Sequence, residues 1–156
     1  MYKKMIILTV MFLFIDQLSK GLINIYMNVN DSISIINSFF NLTYVHNYGA
    51  AFSMFSGARY IFIIVTVIAL NLIYLFLIKD KKLNKFEMIT YSMLLSGIIG
   101  NLIDRVVFGY VIDFLDFNIF GYDFAIFNIA DSFIVVAIIL LLFQEVKNAK
   151  IFSGRK

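Results

Sequence analysis

The chain has 156 residues, 62% of them hydrophobic, and a mean hydropathy of +0.90. Soluble domains average about 45–50% apolar residues, so the composition excludes an ordinary soluble domain and points to an integral membrane protein. The absence of cysteine excludes disulfides, thiolate metal sites and a cysteine nucleophile, and the formal charge of +3 matters less as a sum than in its placement.

Lys3 and Lys4 precede an apolar run from Met5 to Tyr26. The run is too long for the apolar region of a signal peptide, contains Asp16 and Lys20, and shows no small-x-small cleavage site, so it is expected to be a retained first transmembrane helix. Four spans are predicted, at about 5–26, 60–78, 86–105 and 128–145. Each is close to the roughly 20 residues needed to cross a hydrocarbon core of about 30 Å. The second is the cleanest, with Asn71 as its one strongly polar side chain, while the first and third carry polar groups expected of helices inside a bundle.

Orientation follows from Lys and Arg. Lys3 and Lys4, then Lys79, Lys81, Lys82 and Lys85, then Lys147, Lys150, Arg155 and Lys156 make ten of the thirteen basic residues. All fall on one side of four alternating helices, which the positive-inside rule places in the cytoplasm with both termini. Lys20, Arg59 and Arg105 lie toward the other face. Without Trp, an interfacial aromatic belt falls to Phe and Tyr.

Two connections then face outward. In the first, an extracytoplasmic β region at about 30–52, Ser32–Ile35 and Asn41–His46 alternate polar and apolar residues as half-buried strands do, with Asn37-Ser38 as a turn. The second, about 106–127, is expected to be a loop holding Asp113, Asp116 and Asp123 among aromatics. The predicted fold is an all-α membrane protein, a bundle of four transmembrane helices with a small extracytoplasmic β-sheet, in a single domain spanning 1–156.

On the first helix Asp16, Gln17, Lys20 and Asn24 fall within roughly 100° of one another, and Asp16 and Lys20 have the i,i+4 spacing that allows pairing. Such a pair serves equally well as structural glue, each charge lowering the other's burial cost. Asn101, Asp104 and Arg105 sit at the outer end of the third helix, where Gly97 and Gly100 permit close helix approach. Asp104 and Arg105 read as a counter-ion and a snorkelling arginine. Asn128 and Asp131 have the spacing of a helix N-cap and its third residue, close to a capping box. Asp113 by itself reads as a solvated loop acid, and His46 as a strand residue at the interface.

Elimination narrows the chemistry. One histidine and no cysteine leave no zinc motif, and no Gly-rich phosphate loop is present. Paired carboxylates remain: two close Asp side chains cannot both ionise easily, so they share a proton, and one can activate water while the other acts as an acid. Six of the ten acids lie on the outer side, so spacing alone leaves many pairs open. Two rival readings stand beside this one. A small transporter would use the intramembrane Asp and Lys as a pathway, although no polar line runs down to the cytoplasmic end. A Ser/Lys peptidase would use Ser19 with Lys20, although their helix faces diverge.

Five motifs, taken in order, decide between the pairs. They are Asp16-Gln17-Leu18-Ser19-Lys20, Asn47-Tyr48-Gly49-Ala50-Ala51-Phe52, Gly100-Asn101-Leu102-Ile103-Asp104-Arg105, Gly109-Tyr110-Val111-Ile112-Asp113-Phe114 and Phe127-Asn128-Ile129-Ala130-Asp131-Ser132. Together they resemble the lipoprotein signal peptidases, the signal peptidase II family of aspartyl peptidases in the bacterial inner membrane. The resemblance covers essentially the whole chain. It implies cleavage of diacylglyceryl-modified prolipoproteins just before the lipidated cysteine, with Asp113 and Asp131 as the catalytic pair. Asp16, Lys20, Asn47, Asn101, Arg105 and Asn128 are implied as supporting polar residues, with Gly49 and its small neighbours letting an extended substrate approach. It further implies membrane lipid as a partner, no nucleic acid, no cofactor or metal, a monomer, and a site facing out of the cytoplasm. Where many members carry a Pro-containing stretch before Phe-Asn-x-Ala-Asp, this chain has Asp123-Phe124-Ala125-Ile126. In this frame Asp104 is expected to prop Arg105, and the residues between Asp113 and Asp131 to form a flap over the site.

Overall fold

The computed structural model describes residues 2–49 and 58–153. The Ala50-Ala51-Phe52 part of the second motif lies outside them. Helix α1 (Tyr2–Tyr26) leads into strands β1 (Ser32–Ile36) and β2 (Phe40–Asn47). Helix α2 (Arg59–Ile73) continues as a π-helical turn through Ile78, followed by α3 (Lys85–Val107), β3 (Val111–Ile119), β4 (Tyr122–Asp123) and α4 (Ile129–Ser153). Among the described residues, four helices are long and apolar enough to cross a membrane, the segments Tyr2–Tyr26, Arg59–Ile78, Lys85–Val107 and Ile129–Lys147.

Helix α3 is the centre of the bundle because its sequence offers small or polar residues on more than one face. Asn84 caps it in a reciprocal capping box with Glu87, which satisfies two backbone donors left over at a helix start. One row of its buried residues, Ser92, Ser96 and Gly100, faces α1. Ser92 Oγ donates to Met5 O, and a side chain on Gly100 would run into the Asp16 carboxylate. Gly97 faces α4 so closely that a Cβ there would overlap Ala130 O. Outward, α1 leaves Ile6, Val10, Phe14 and Leu18 exposed, and α2 has no buried residue within Arg59–Ile73. In a membrane such surfaces face lipid, which is as apolar as they are.

The four strands form one antiparallel sheet in the order β1-β2-β3-β4 at the end of the bundle where α1 and α3 finish and α4 begins. The expected strands in the 30–52 region are present, with Ser38 at φ 60° in the turn between them. The expected loop at 106–127 is not a loop. Half of it is β3 and β4, and β3 is the partner of β2. The reason it reads as irregular is burial on both faces: Val111, Ile112, Asp113 and Phe114 are all buried, so the strand has no alternation to reveal it. Nor is the stretch between Asp113 and Asp131 a free flap, since Phe127 N donates to Leu115 O and Phe127 O accepts from Phe114 N and Leu115 N.

A bulge in β2 decides which of its residues meets Asp113. Leu42 pairs with Leu115, but the next partners are Val45 with Asp113 and Asn47 with Val111, so β2 advances three residues where β3 advances two. Such an extra residue reverses which side chains share a face. In an unbroken register Tyr44 and His46 would share the face of Asp113. The bulge instead puts Val45 and Asn47 there, and turns Tyr44 to the opposite face, where it packs with Ile23, Met27, Ile112 and Phe114.

Because the α3–α4 approach at Gly97 meets backbone, it cannot relax by a rotamer change. Gly97→Val should destabilise the protein by about 1–3 kcal/mol, the usual cost of overpacking, read as a lower melting temperature in detergent. An unchanged melting temperature would show that α3 and α4 are not held this close.

Candidate active site

Three asparagines from different elements hold the two central aspartates. Asp113, only 2% exposed, accepts at Oδ2 from Asn47 Nδ2 of β2 (2.9 Å) and at Oδ1 from Asn128 Nδ2 just before α4 (2.6 Å). Asp131 is the third residue of α4. Its Oδ2 accepts from Asn128 N (3.2 Å), and Asn128 Oδ1 accepts in return from Asp131 N (3.0 Å). This is the reciprocal capping arrangement expected from the spacing. It leaves Asp131 Oδ1 to accept from Asn101 Nδ2 of α3 (2.7 Å). Asn101 Oδ1 in turn accepts from Asn128 Nδ2 (3.1 Å) and from Lys20 Nζ (3.0 Å).

A cavity of about 260 Å³ opens over this network, lined by Asn47, Asn101, Arg105, Asp113 and Asp131 among others. Ala125 and Ile126, from the stretch that stands in place of a proline-containing one, form part of its wall. Arg105 donates to Gly49 O (3.2 Å) and Asn101 O (3.4 Å), with its guanidinium 5.0 Å from the centre of the Phe62 ring. Gly49 N is itself bound by Asn47 Oδ1 (3.0 Å), so the turn after β2 is fastened to the cavity from both sides.

Of the remaining residues expected here, Asp16 and Lys20 do not line the cavity. They lie behind it, 0% and 2% exposed, paired at 3.0 Å. The expected pairing of Asp104 with Arg105 does not occur. Asp104 turns to Lys20 instead, at 3.0 Å, because successive helix residues point about 100° apart and cannot share a partner surface. Arg105 therefore faces the 47–49 segment while Asp104 faces α1. His46 is kept off the site by the bulge and stacks on Tyr110 with ring centres 3.7 Å apart. Gln17 and Asp104, absent from the expected site, carry several of its supporting bonds. The sequence signals for them were Gln17's place on the polar stripe of α1 and Asp104's place one turn after Gly100.

Burial pushes the Asp113 carboxyl from its ordinary 3.8 up to about 7. The neighbouring charge of Asp131 adds to the rise, against the opposing hydrogen bonds from Asn47 and Asn128 and the charge of Lys20. A carboxyl that keeps its proton near neutral pH beside a second carboxylate is the arrangement that separates an acid from a base.

The signal peptidase (SPase) II family model matches residues 8–147. The lipoprotein signal peptidase of Staphylococcus haemolyticus is 42% identical over 144 residues, covering 92% of this chain and 91% of that protein. The one from Staphylococcus epidermidis is 45% identical, with coverage of 92% and 89%. A solved structure described as a bacterial membrane enzyme superposes with a TM-score of 0.87 at 41% identity, over 99% of this chain and 92% of its own. Fold and spans are thus those of a multi-pass bacterial membrane enzyme. The chain belongs to the signal peptidase II family.

The raised carboxyl has a consequence for stability. A group whose folded-state pKa is raised contributes most below its unfolded value, and the contribution is lost as pH rises through the folded one. Between pH 4 and 7 the wild-type protein should therefore lose stability relative to Asp113→Asn, by up to about 1.4 kcal/mol per pH unit, and the difference should level off above that. Denaturation of both proteins across this range in one detergent checks the sign; parallel curves would refute it.

Proposed function

We propose that this protein is an aspartic endopeptidase that removes the signal peptide from diacylglyceryl-modified prolipoproteins, cleaving before the lipidated cysteine. The observation that carries the reading is the meeting of Asp113 and Asp131, from a strand and a helix start, at one cavity beside helices apolar enough to lie in lipid. The substrate's own helix enters beside the bundle, its acyl chains stay in the bilayer, and the scissile peptide bond reaches the cavity. The Lys- and Arg-rich ends support an orientation with both termini in the cytoplasm and the cavity at the opposite face of the bacterial cytoplasmic membrane. The chain acts as a monomer.

The pair holds one proton, carried on Asp113, whose carboxyl burial pushes up to about 7. Asp131 takes a proton from a water molecule as its oxygen attacks the carbonyl carbon, and Asp113 gives its proton to the carbonyl oxygen. Collapse of the tetrahedral intermediate breaks the C–N bond. The leaving nitrogen takes the proton from Asp131, and a hydroxyl of the intermediate returns one to Asp113, restoring the starting state. Asn101, Asn128 and Asn47 fix the carboxylate planes, which matters because reacting groups must sit near attack geometry. Arg105, bonded to Gly49 O, holds the turn after β2, where Asn47 and Gly49 receive the extended substrate backbone.

Asp113→Asn and Asp131→Asn should each lower cleavage of a lipid-modified precursor by at least about 10²-fold, the scale of an acid–base contribution. Robust cleavage by either variant would sink the assignment. The unmodified precursor should remain intact, and a strong chelator should leave cleavage unchanged. Activity should fall as pH rises past about 7, because Asp113 then loses the proton it donates; a rate still climbing at pH 9 would overturn the one-proton pair.

A further inference from the structure

The residues immediately before the two aspartates are tied to the same buried cluster. Ile112 N, next to Asp113, donates to Asp104 Oδ2 (3.2 Å), and Ala130 N, next to Asp131, donates to Asp16 Oδ1 (2.9 Å). These two carboxylates are 1% and 0% exposed. They converge on Lys20 Nζ, which lies 3.0 Å from each. A second bridge joins them: Gln17 Nε2 lies 3.1 Å from Asp16 Oδ2, which it shares with Lys20, and 3.1 Å from Asp104 Oδ1, the oxygen Lys20 leaves free, with Gly100 O at 3.3 Å.

We propose that Gln17 and Asp104 are positioning residues for the cleavage reaction, forming with Asp16 and Lys20 a clip that sets the spacing of the two aspartate-bearing segments. The proposal rests on the aspartate mechanism above. One turn of α1 supplies Asp16, Gln17 and Lys20, so a single rigid element measures the distance between β3 and the start of α4. Within the clip one ammonium faces two carboxylates. The neutral amide of Gln17 supplies the donors that a second cation would otherwise have to supply. Asp104 has a double task, since its Oδ2 serves both Lys20 and the backbone beside Asp113. None of the four clip residues lines the cavity, so their effect on the reaction passes through the position of the aspartates and not through substrate contact.

The test uses the full chain in detergent or proteoliposomes, with a diacylglyceryl-modified precursor and rates normalised to monodisperse folded protein. Gln17→Ala and Asp104→Asn should each lower kcat about tenfold or more with KM held within about twofold, since displacement of reacting groups costs rate and not binding. Asp104→Ala should lose more than Asp104→Asn, because the amide oxygen still accepts from Ile112 N. The double variant Gln17→Ala/Asp104→Asn should lose less than the product of the single losses, as residues acting through one network do. Wild-type kcat in both single variants, a loss confined to KM, or strictly multiplicative losses would overturn the proposal. If Asp104→Asn yields no folded protein, the kcat and KM of Gln17→Ala decide alone. Inactive Asp113→Asn beside unaffected clip variants would reject the clip only, whereas active Asp113→Asn would reject the mechanism beneath it.

Discussion

A lysine ammonium with 2% exposure, in a helix that spans the membrane, is the constraint around which this structure is arranged. Removing an isolated charge from water costs several kcal/mol even after relaxation, and a membrane span gives it no water to return to. Lys20 meets this with three oxygens at 3.0 Å, from Asp16, Asp104 and Asn101, one for each of its three donors. Those oxygens come from α1 and α3, and through Asp16 and Asp104 the arrangement extends to the backbone of α4 and β3. Satisfying one charge therefore brings four elements into register.

Small residues on α3 make that arrangement possible. Gly100 leaves the room that the Asp16 carboxylate occupies, and Gly97 lets the start of α4 come down against α3. The same approach presents Asn128 to Asn101 and Asp113 at once. Asn128 shows that a structural and a functional explanation of one residue need not compete. Its backbone and side chain cap α4 through Asp131, while the remaining amide hydrogens reach the neighbouring carboxylate and amide. A cap that ordinarily stabilises a helix end here also fixes the direction of a carboxylate lining the cavity.

Much of this was legible in the sequence. Hydropathy located four helices because a span must be apolar along its length, and Ser32–Ile35 and Asn41–His46 declared themselves through alternation. The polar stripe of α1 and the Asn128–Asp131 spacing follow from helix geometry alone. What stayed hidden was set by partners distant in the chain. The strand at Val111–Ile119 is masked where it begins, because Val111 to Phe114 are buried on both faces. The bulge that turns Asn47 rather than His46 toward Asp113 depends on β2 meeting β3. Adjacent Asp104 and Arg105 invited a pairing that helix geometry forbids.

The sequence by itself determined that this is a membrane protein with four spans, where its polar residues cluster, and through five motifs which family it belongs to. The first two are properties of composition and local periodicity, the third rests on the resemblance of ordered motifs, and none depends on what packs against what. Only the tertiary structure decided which carboxylates share the cavity and which are spent on Lys20. Asp16, Asp104, Asp113 and Asp131 are the same residue type in similarly apolar surroundings. Their roles separate because Asp16 and Asp104 are closed off behind the cavity by Lys20, Gln17 and backbone N–H groups, while Asp113 and Asp131, held by asparagines, line it.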